Sequence, residues 1–558
     1  MTLRTRASRV VIHALWLLPL ALVAGQRRSI AVPAVIPPAP MSRANGSMVP
    51  SADGVRAEKL LDEWRFAEGE AALTELERAQ GGTAEALYLR GYALFLAGDY
   101  AAALAKLRAG TEIAPDDPNI KSLGALAEAA QKATSGHREQ RSQHFVLRFP
   151  PEDAVLADDA LETLEAGLAT LSSDLGYAPE RPIHVDIYRN PSDLAAVSTL
   201  TEAEVQRTGT IALCKWARLM ATSPRALSYG YPWLDTLGHE LVHYAVSALT
   251  RDQAPVWLQE GLAKFLERRW RDVPNAELPP VMQHQLARAL SSGKLIGFDR
   301  MHPSMAKLPT AEDASLAFAE VVTAIASLHA RGGMAALRAA IVAVRDGTDA
   351  RTAVARAAGG TWPEFEKGWK AFMVAQKYRT FPGMDPVERK FRKSAAIASR
   401  RGPSEDEEIM SMTAPSRYLR LGNMLLRRSR AQAAVIEYEK GAKLAGTSHW
   451  LFDVKLGRTY LALGQPDRAL KAVEGLRALQ PELPWPHFIA GKALLETGHP
   501  KEAALALERS LGTNPFDPGV HCTLAEAYEK LPTSPTVTVR RERAARHCKE
   551  LSGSEQPH

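Results

Sequence analysis

The stretch Trp233-Leu234-Asp235-Thr236-Leu237-Gly238-His239-Glu240-Leu241-Val242-His243, resumed after Pro255 by Val256-Trp257-Leu258-Gln259-Glu260-Gly261-Leu262-Ala263, decides how this chain is read. Two histidines four apart on a helix point the same way, one turn above the other. That spacing lets two imidazole nitrogens grip one small cation. A catalytic zinc takes three protein ligands and keeps a fourth position for water. His239 and His243 supply two ligands, and Glu260 on the following helix is the natural third. Glu240, beside the first histidine, can reach the water that such a metal activates and act as general base. The pattern predicts metal-assisted hydrolysis of a peptide or protein substrate, with Zn2+ as cofactor.

Pro232 stands near a plausible first helical turn. Leu237, Leu241, Tyr244 and Ala248 fall on the side away from the histidines, so that face is expected to bury while the histidines look into a cleft. Gly261 and Ala263 are small enough for two helices to approach closely.

Thr236 to His243 and Pro255 to Ala263 resemble the gluzincin group of metallopeptidases, most closely the peptidase-MA-like domain of bacterial proteins. That family pairs such a helix with a downstream Pro-x-Trp-x-x-Glu-Gly-x-Ala helix. The resemblance implies a zinc peptidase fold over residues 140–375, with a short mixed sheet ahead of the active-site helix. Relatives often carry a tyrosine in a later helix to stabilise an oxyanion; the aligned position here is Phe318, which has no hydroxyl. Tyr229, Tyr231 and His302 are substitutes, and each also reads as a packing or surface residue. Some gluzincins carry an acidic residue four after the glutamate ligand to orient a histidine. Lys264 stands there, and Asp235 could take the role or simply be solvated. Lys215-Trp216-Ala217-Arg218 could pair with an extended substrate or form a plain structural edge.

Outward from this centre, His144–Phe149 and Ile183–Tyr188 read as strands, with a helix over Val155–Leu175 between them and one or two more strands in Thr210–Thr222. After Glu260, Leu278–Leu295 and Ala314–Leu337 read as helical, and a helix with Phe365, Trp369 and Phe372 closes the domain. The expected fold class is an α+β zincin-like metallopeptidase domain flanked by all-α solenoid segments.

The flanks carry a repeat. Gly91, Leu94, Ala103 and Pro115 fall at positions 8, 11, 20 and 32 of a tetratricopeptide unit. A degenerate helix pair precedes them within residues 55–135. In the C-terminal segment, 413–552, Gly457, Tyr460, Ala469 and Pro481 make one unit, and Gly491, Leu494, Ala503 and Pro515 the next; Gly422 starts a weaker one. These resemble tetratricopeptide repeats, which implies a protein partner on the arrays. A solenoid contacts mainly its own neighbours, so the C-terminal array is expected to fold separately. Residues 376–412, with Arg389-Lys390-Phe391-Arg392-Lys393 and Glu405-Asp406-Glu407-Glu408, read as a solvated linker.

The N-terminus reads as an export signal over residues 1–25: Arg4, Arg6 and Arg9 precede a mainly apolar run from Val10 to Gly25. An uncleaved anchor is the alternative, and residues 26–54 follow as a Pro-rich spacer. The chain is then expected in the periplasm or outside the cell, with no stable membrane span beyond the signal. Length supports several domains: 558 residues exceed what one core holds. The net charge of +6, or +3 without the three signal arginines, gives no case for nucleic acid. Cys214, Cys522 and Cys548 are too few for a disulfide scaffold, though Cys522 and Cys548 could pair across helices. Two other readings compete with the exported zinc peptidase. One is a non-catalytic repeat scaffold carrying a vestigial metallopeptidase domain; the other is a zinc hydrolase acting on non-peptide amides.

Overall fold

The computed structural model describes residues 48, 50–271, 278–301, 305, 308–381, 391–392, 415–445 and 450–553. The expected signal, most of the spacer, His302 and the acidic run 405–408 lie outside the described residues. The chain is mostly helical around one small mixed sheet.

Five helices come first: α1 (Ala52–Asp62), α2 (Phe66–Gln80), α3 (Ala84–Leu96), α4 (Tyr100–Ile113) and α5 (Pro118–Ala133). Ser51, Thr83, Asp99 and Asp117 cap α1, α3, α4 and α5 with side-chain oxygens that accept from backbone N–H groups. Gly91 lets α3 and α4 cross, because a Cβ there would lie 2.8 Å from Leu107 and 3.4 Å from the Ala103 carbonyl. Gly491 meets Leu507 and Ala503 at the same offsets in the C-terminal array, so both arrays use one crossing geometry.

The sheet contains β1 (Arg138–Arg141), β2 (Phe145–Phe149), β3 (Ile183–Tyr188), β4 (Ala212–Lys215) and β5 (Arg218–Thr222), in the order β1-β2-β3-β5-β4. The β2–β3 and β3–β5 pairs are parallel; the outer pairs are antiparallel. Helix α6 (Ala157–Leu175) makes the β2-to-β3 crossover, and α7 (Pro191–Ala196) and α8 (Glu202–Thr208) lead into β4. Alternation along β3 splits its side chains between two faces. His184 and Asp186 turn to the N-terminal helices. Tyr100 donates to Asp186 at 3.1 Å, and His184 borders Gly98.

The Lys215–Arg218 stretch is the hairpin that joins β4, the edge strand of the sheet, to β5. Trp216 and Ala217 form a two-residue hairpin turn with φ of 56° and 51°, as a tight antiparallel turn requires. Arg218 is buried beneath α3 and α4: it lies 3.6 Å from Asp186, over the rings of Phe95 and Tyr100, and donates to the Phe95 carbonyl. Removing one partner of such a buried pair costs about 3–5 kcal/mol. The N-terminal helices are thereby fixed to the sheet.

Beyond the sheet come α9 (Trp233–Thr250), α10 (Val256–Leu266), α11 (Pro280–Ser292), α12 (Ala311–Arg345), α13 (Ala350–Ala357) and α14 (Trp362–Ala375). Leu237, Leu241 and Tyr244 of α9 are buried as expected, Tyr244 edge-on to Trp64 of the N-terminal segment and to Tyr177. In α14, Phe365, Trp369 and Met373 fill the core, while Phe372 is half-buried. Among the described residues, α12 alone has the length and apolarity to cross a membrane, and most of it is buried within the fold.

The C-terminal array comprises α15 (Ser416–Arg427), α16 (Ala431–Ala445), α17 (Trp450–Ala462), α18 (Pro466–Leu479), α19 (Pro484–Glu496), α20 (Pro500–Leu511), α21 (Pro518–Glu529) and α22 (Pro535–Gly553). A Cys522–Cys548 disulfide joins α21 to α22. The array docks on the segment just ahead of α9. Tyr229 packs edge-on against the stacked pair Trp450 and Trp485. The Tyr231 and Trp233 amides donate to the Thr513 and Gly512 carbonyls, both at 3.2 Å, and the Trp233 indole donates to Leu511 at 3.1 Å. At the far end, Arg543 and Arg546 of α22 pair with Asp158, Asp159 and Glu162 of α6. The linker is not wholly solvated either. Phe391 bridges to Leu227, and Arg392 donates to the Ala226 and Arg225 carbonyls, which offer acceptors beside an apolar seat for Phe391.

Candidate metal centre

Helix α9 begins after Pro232 and carries His239 and His243 one turn apart, with their Nε2 atoms 3.0 Å from each other. It ends at Arg251 and Asp252, both in the left-handed region, which turns the chain sharply back. Helix α10 then runs against α9 and brings Glu260 Oε2 to 3.4 Å from His239 Nε2 and 3.5 Å from His243 Nε2. Gly261 permits this seating, since a Cβ there would lie 2.9 Å from the Val321 carbonyl of α12. Gly238 does the same on α9, where a Cβ would overlap the Glu267 carbonyl oxygen. The three ligand atoms of His239, His243 and Glu260 lie within 4.8 Å of one another.

The outer nitrogens of the two imidazoles are also engaged. His239 Nδ1 is 3.1 Å from Glu267, which pairs with Lys264 at 2.8 Å. His243 Nδ1 is 3.3 Å from Gln259, whose amide donates to Ser247. The orienting acid is thus Glu267, not Asp235: Asp235 is held by Arg268 and Arg271 at 3.2 and 2.7 Å. The signal for Glu267 was present in the sequence. Seven residues are two helical turns, so Glu267 shares a face with Glu260.

All four motif side chains are at most 2% exposed, so the histidines are enclosed rather than facing an open cleft. The helix-to-helix contact that brings Glu260 to them also removes them from solvent. Burial lowers the His239 pKa, but the Glu260 and Glu267 carboxylates outweigh it and hold the value at about 9. His243 is lowered, by burial first. Two imidazole nitrogens 3.0 Å apart cannot both carry a proton, so the opposite directions follow from the geometry. Burial raises the Glu260 carboxyl, but His243 and His239 bring it below its usual range. Burial raises Glu267 too, while Lys264 and His239 bring it down to about 2. Glu240 is raised well above the usual carboxylate value by burial.

Both Glu240 carboxylate oxygens and Glu260 Oε2 are buried and accept no hydrogen bond among the described residues. Such orphaned acceptors are costly unless something compensates them. Two imidazoles and one carboxylate, converging with outer nitrogens already engaged, form a donor set that suits zinc.

Of the expected substitutes for an oxyanion donor, the two tyrosines are engaged elsewhere. The Tyr231 hydroxyl donates to the Thr222 carbonyl at 2.5 Å, and the Tyr229 ring is lodged in the C-terminal array. Phe318 is a buried core residue of α12. Cys214 is buried in β4, and its thiol is raised by burial and then by the charge of Glu240.

A family profile for the Peptidase MA superfamily matches residues 163–375, and one for the tetratricopeptide repeat matches residues 56–118 and 454–518. None of the curated proteins compared matches the chain. Among solved structures, one titled MamA MSR-1 C2 is 21% identical, covering 27% of this chain and 80% of its own, with a TM-score of 0.21. Yeast Tom70 is 10% identical over 90% of this chain and 88% of its own, with a TM-score of 0.20. The APC/C hetero-tetramer Cut9-Hcn1 is 12% identical over 89% and 86%, with a TM-score of 0.24. The chain therefore carries a Peptidase MA superfamily domain with tetratricopeptide repeats on both sides of it.

Proposed function

We propose that this chain is an exported, zinc-dependent metallopeptidase whose repeat arrays bind a protein partner. The observation that carries the reading is the Glu240 carboxylate, buried and without a hydrogen-bond partner beside the His239–His243–Glu260 trio. A purely structural metal site has no use for such a group. His239, His243 and Glu260 would hold the zinc, with Glu267 and Gln259 orienting the two imidazoles. A zinc ion bound there supplies Lewis acidity to a scissile carbonyl and lowers the pKa of a water. Glu240 takes the proton of the attacking water and later delivers it to the leaving amine. The basic and apolar residues of 1–25 support export to the periplasm or beyond.

One observation favours a second reading, a repeat scaffold whose metal is structural: the four motif residues are almost wholly enclosed. Glu240→Gln separates the two. The variant keeps size but cannot accept a proton at neutral pH, and removing a general base costs about 10²–10⁴ in rate. The peptidase reading expects a folded, zinc-loaded protein with that loss on a peptide library. A variant that cleaves as fast as the parent refutes it, and a parent that binds zinc but cleaves no peptide supports the scaffold.

A further inference from the structure

The first helix of the C-terminal array presents a face that its later counterparts bury. On α15, Arg417, Arg420, Leu421, Met424, Arg427 and Arg428 form one exposed stripe, with Leu421 and Met424 each 37% exposed. Thirty-five residues on, Phe452, Leu456 and Thr459 of α17 occupy the positions of Arg417, Leu421 and Met424 and are 0%, 9% and 1% exposed. Phe452 owes its burial to α16, where a Cβ at Gly441 would overlap its ring. In α19, Ala490 and Ala493 repeat the pattern at 0% and 1%. These positions are the seat on which each repeat receives the second helix of the repeat before it. On α15 the seat carries two apolar side chains between pairs of arginines, and Arg420, Arg427 and Arg428 form no ion pair among the described residues.

We propose that this seat docks a helix of a partner protein, with an apolar centre and acidic residues toward both ends. The face continues the array's own repeat-to-repeat interface, which accepts a helix. The charge selects the partner. From Arg417 to Arg428 the stripe runs ~16 Å, so the acidic groups belong about three turns apart on the incoming helix. A second copy presenting the same face would set arginine against arginine, which disfavours self-association there. A bilayer would leave the helical seat unused.

The inference rests on the protein-binding reading of the arrays and not on the zinc chemistry. The test uses the full-length chain and a labelled synthetic helical peptide with a Leu-rich centre and Glu ends, alongside a Lys-ended twin. Vesicles of phosphatidylglycerol in phosphatidylcholine form a third arm. The Glu-ended peptide is expected to bind, and Glu240→Gln to bind it like the parent, so this result stands apart from the peptidase test. Arg420→Glu with Arg428→Glu should weaken binding about tenfold or more and transfer preference to the Lys-ended twin. Leu421→Ser with Met424→Ser should weaken it about fivefold or more. Both pairs are exposed, so unchanged melting by circular dichroism is expected. Binding of neither peptide, or equal binding of both, overturns the proposal. Vesicle binding that the same variants abolish, with no peptide bound, assigns the face to an anionic lipid surface instead.

Discussion

Gly230→Ala should undock the C-terminal array from the Peptidase MA superfamily domain, and the structure sets the size of the effect. Gly230 has φ of +73°, where an alanine costs about 1 kcal/mol. A Cβ there would also overlap the Thr513 carbonyl, which is main chain and cannot rotate away. Relieving the overlap separates the two segments and removes three hydrogen bonds, from Tyr231 N, Trp233 N and Trp233 Nε1. At about 1 kcal/mol each these add about 3 kcal/mol, for a total near 4 kcal/mol. Gly464→Ala is the matched control: its φ is +66° within the array, and a Cβ there meets nothing within 4 Å. It should cost only the backbone term of about 1 kcal/mol. The assay is native-state hydrogen exchange of the Tyr231 and Trp233 amides. Loss of their protection in Gly230→Ala and retention in Gly464→Ala is expected. Equal protection in the two variants refutes the claim that this contact holds the array in place.

Two further predictions concern the site and the repeats. Glu267→Gln should weaken zinc binding about 10- to 100-fold in a chelator competition, as loss of an outer hydrogen-bond partner usually does. Asp235→Asn should leave it unchanged, because Asp235 is occupied by Arg268 and Arg271; the reverse ranking contradicts the assignment. In the C-terminal array, His487 and His547 are buried and held down to about 4 and about 3, by burial first and then by Arg477 and His521 respectively. Their folded values lie below the unfolded value of about 6.5, so the unfolded chain binds more protons in acid. The stability held above pH 6.5 should therefore be lost as pH falls through 4 toward 3, as followed by urea unfolding read through tryptophan fluorescence. A His547→Gln variant should show a shallower loss, and an unchanged slope would remove that histidine from the account.

The sequence by itself determined what depends on local periodicity. The His239–His243 pair and Glu240 follow from helical spacing, and Glu260 from the helix that restarts at Pro255. The glycine and alanine positions of the repeats, and β2 and β3 with their apolar residues, are equally local. Strand β1 reads Arg-Glu-Gln-Arg and carries no apolar pattern; its pairing with β2 alone makes it a strand. Tertiary structure decided whatever joins residues far apart in the chain. Glu267 reaches His239 because Gly238 lets the end of α10 press against α9. Arg218 is buried because the hairpin tip folds under α3 and α4, which no property of the Lys215–Arg218 stretch requires. Tyr229 and Gly230 take their roles from carbonyls and rings nearly three hundred residues later in the longest case, and from Trp450 and Trp485. Periodicity reports which face of an element is apolar; it carries no information about which distant element will cover that face.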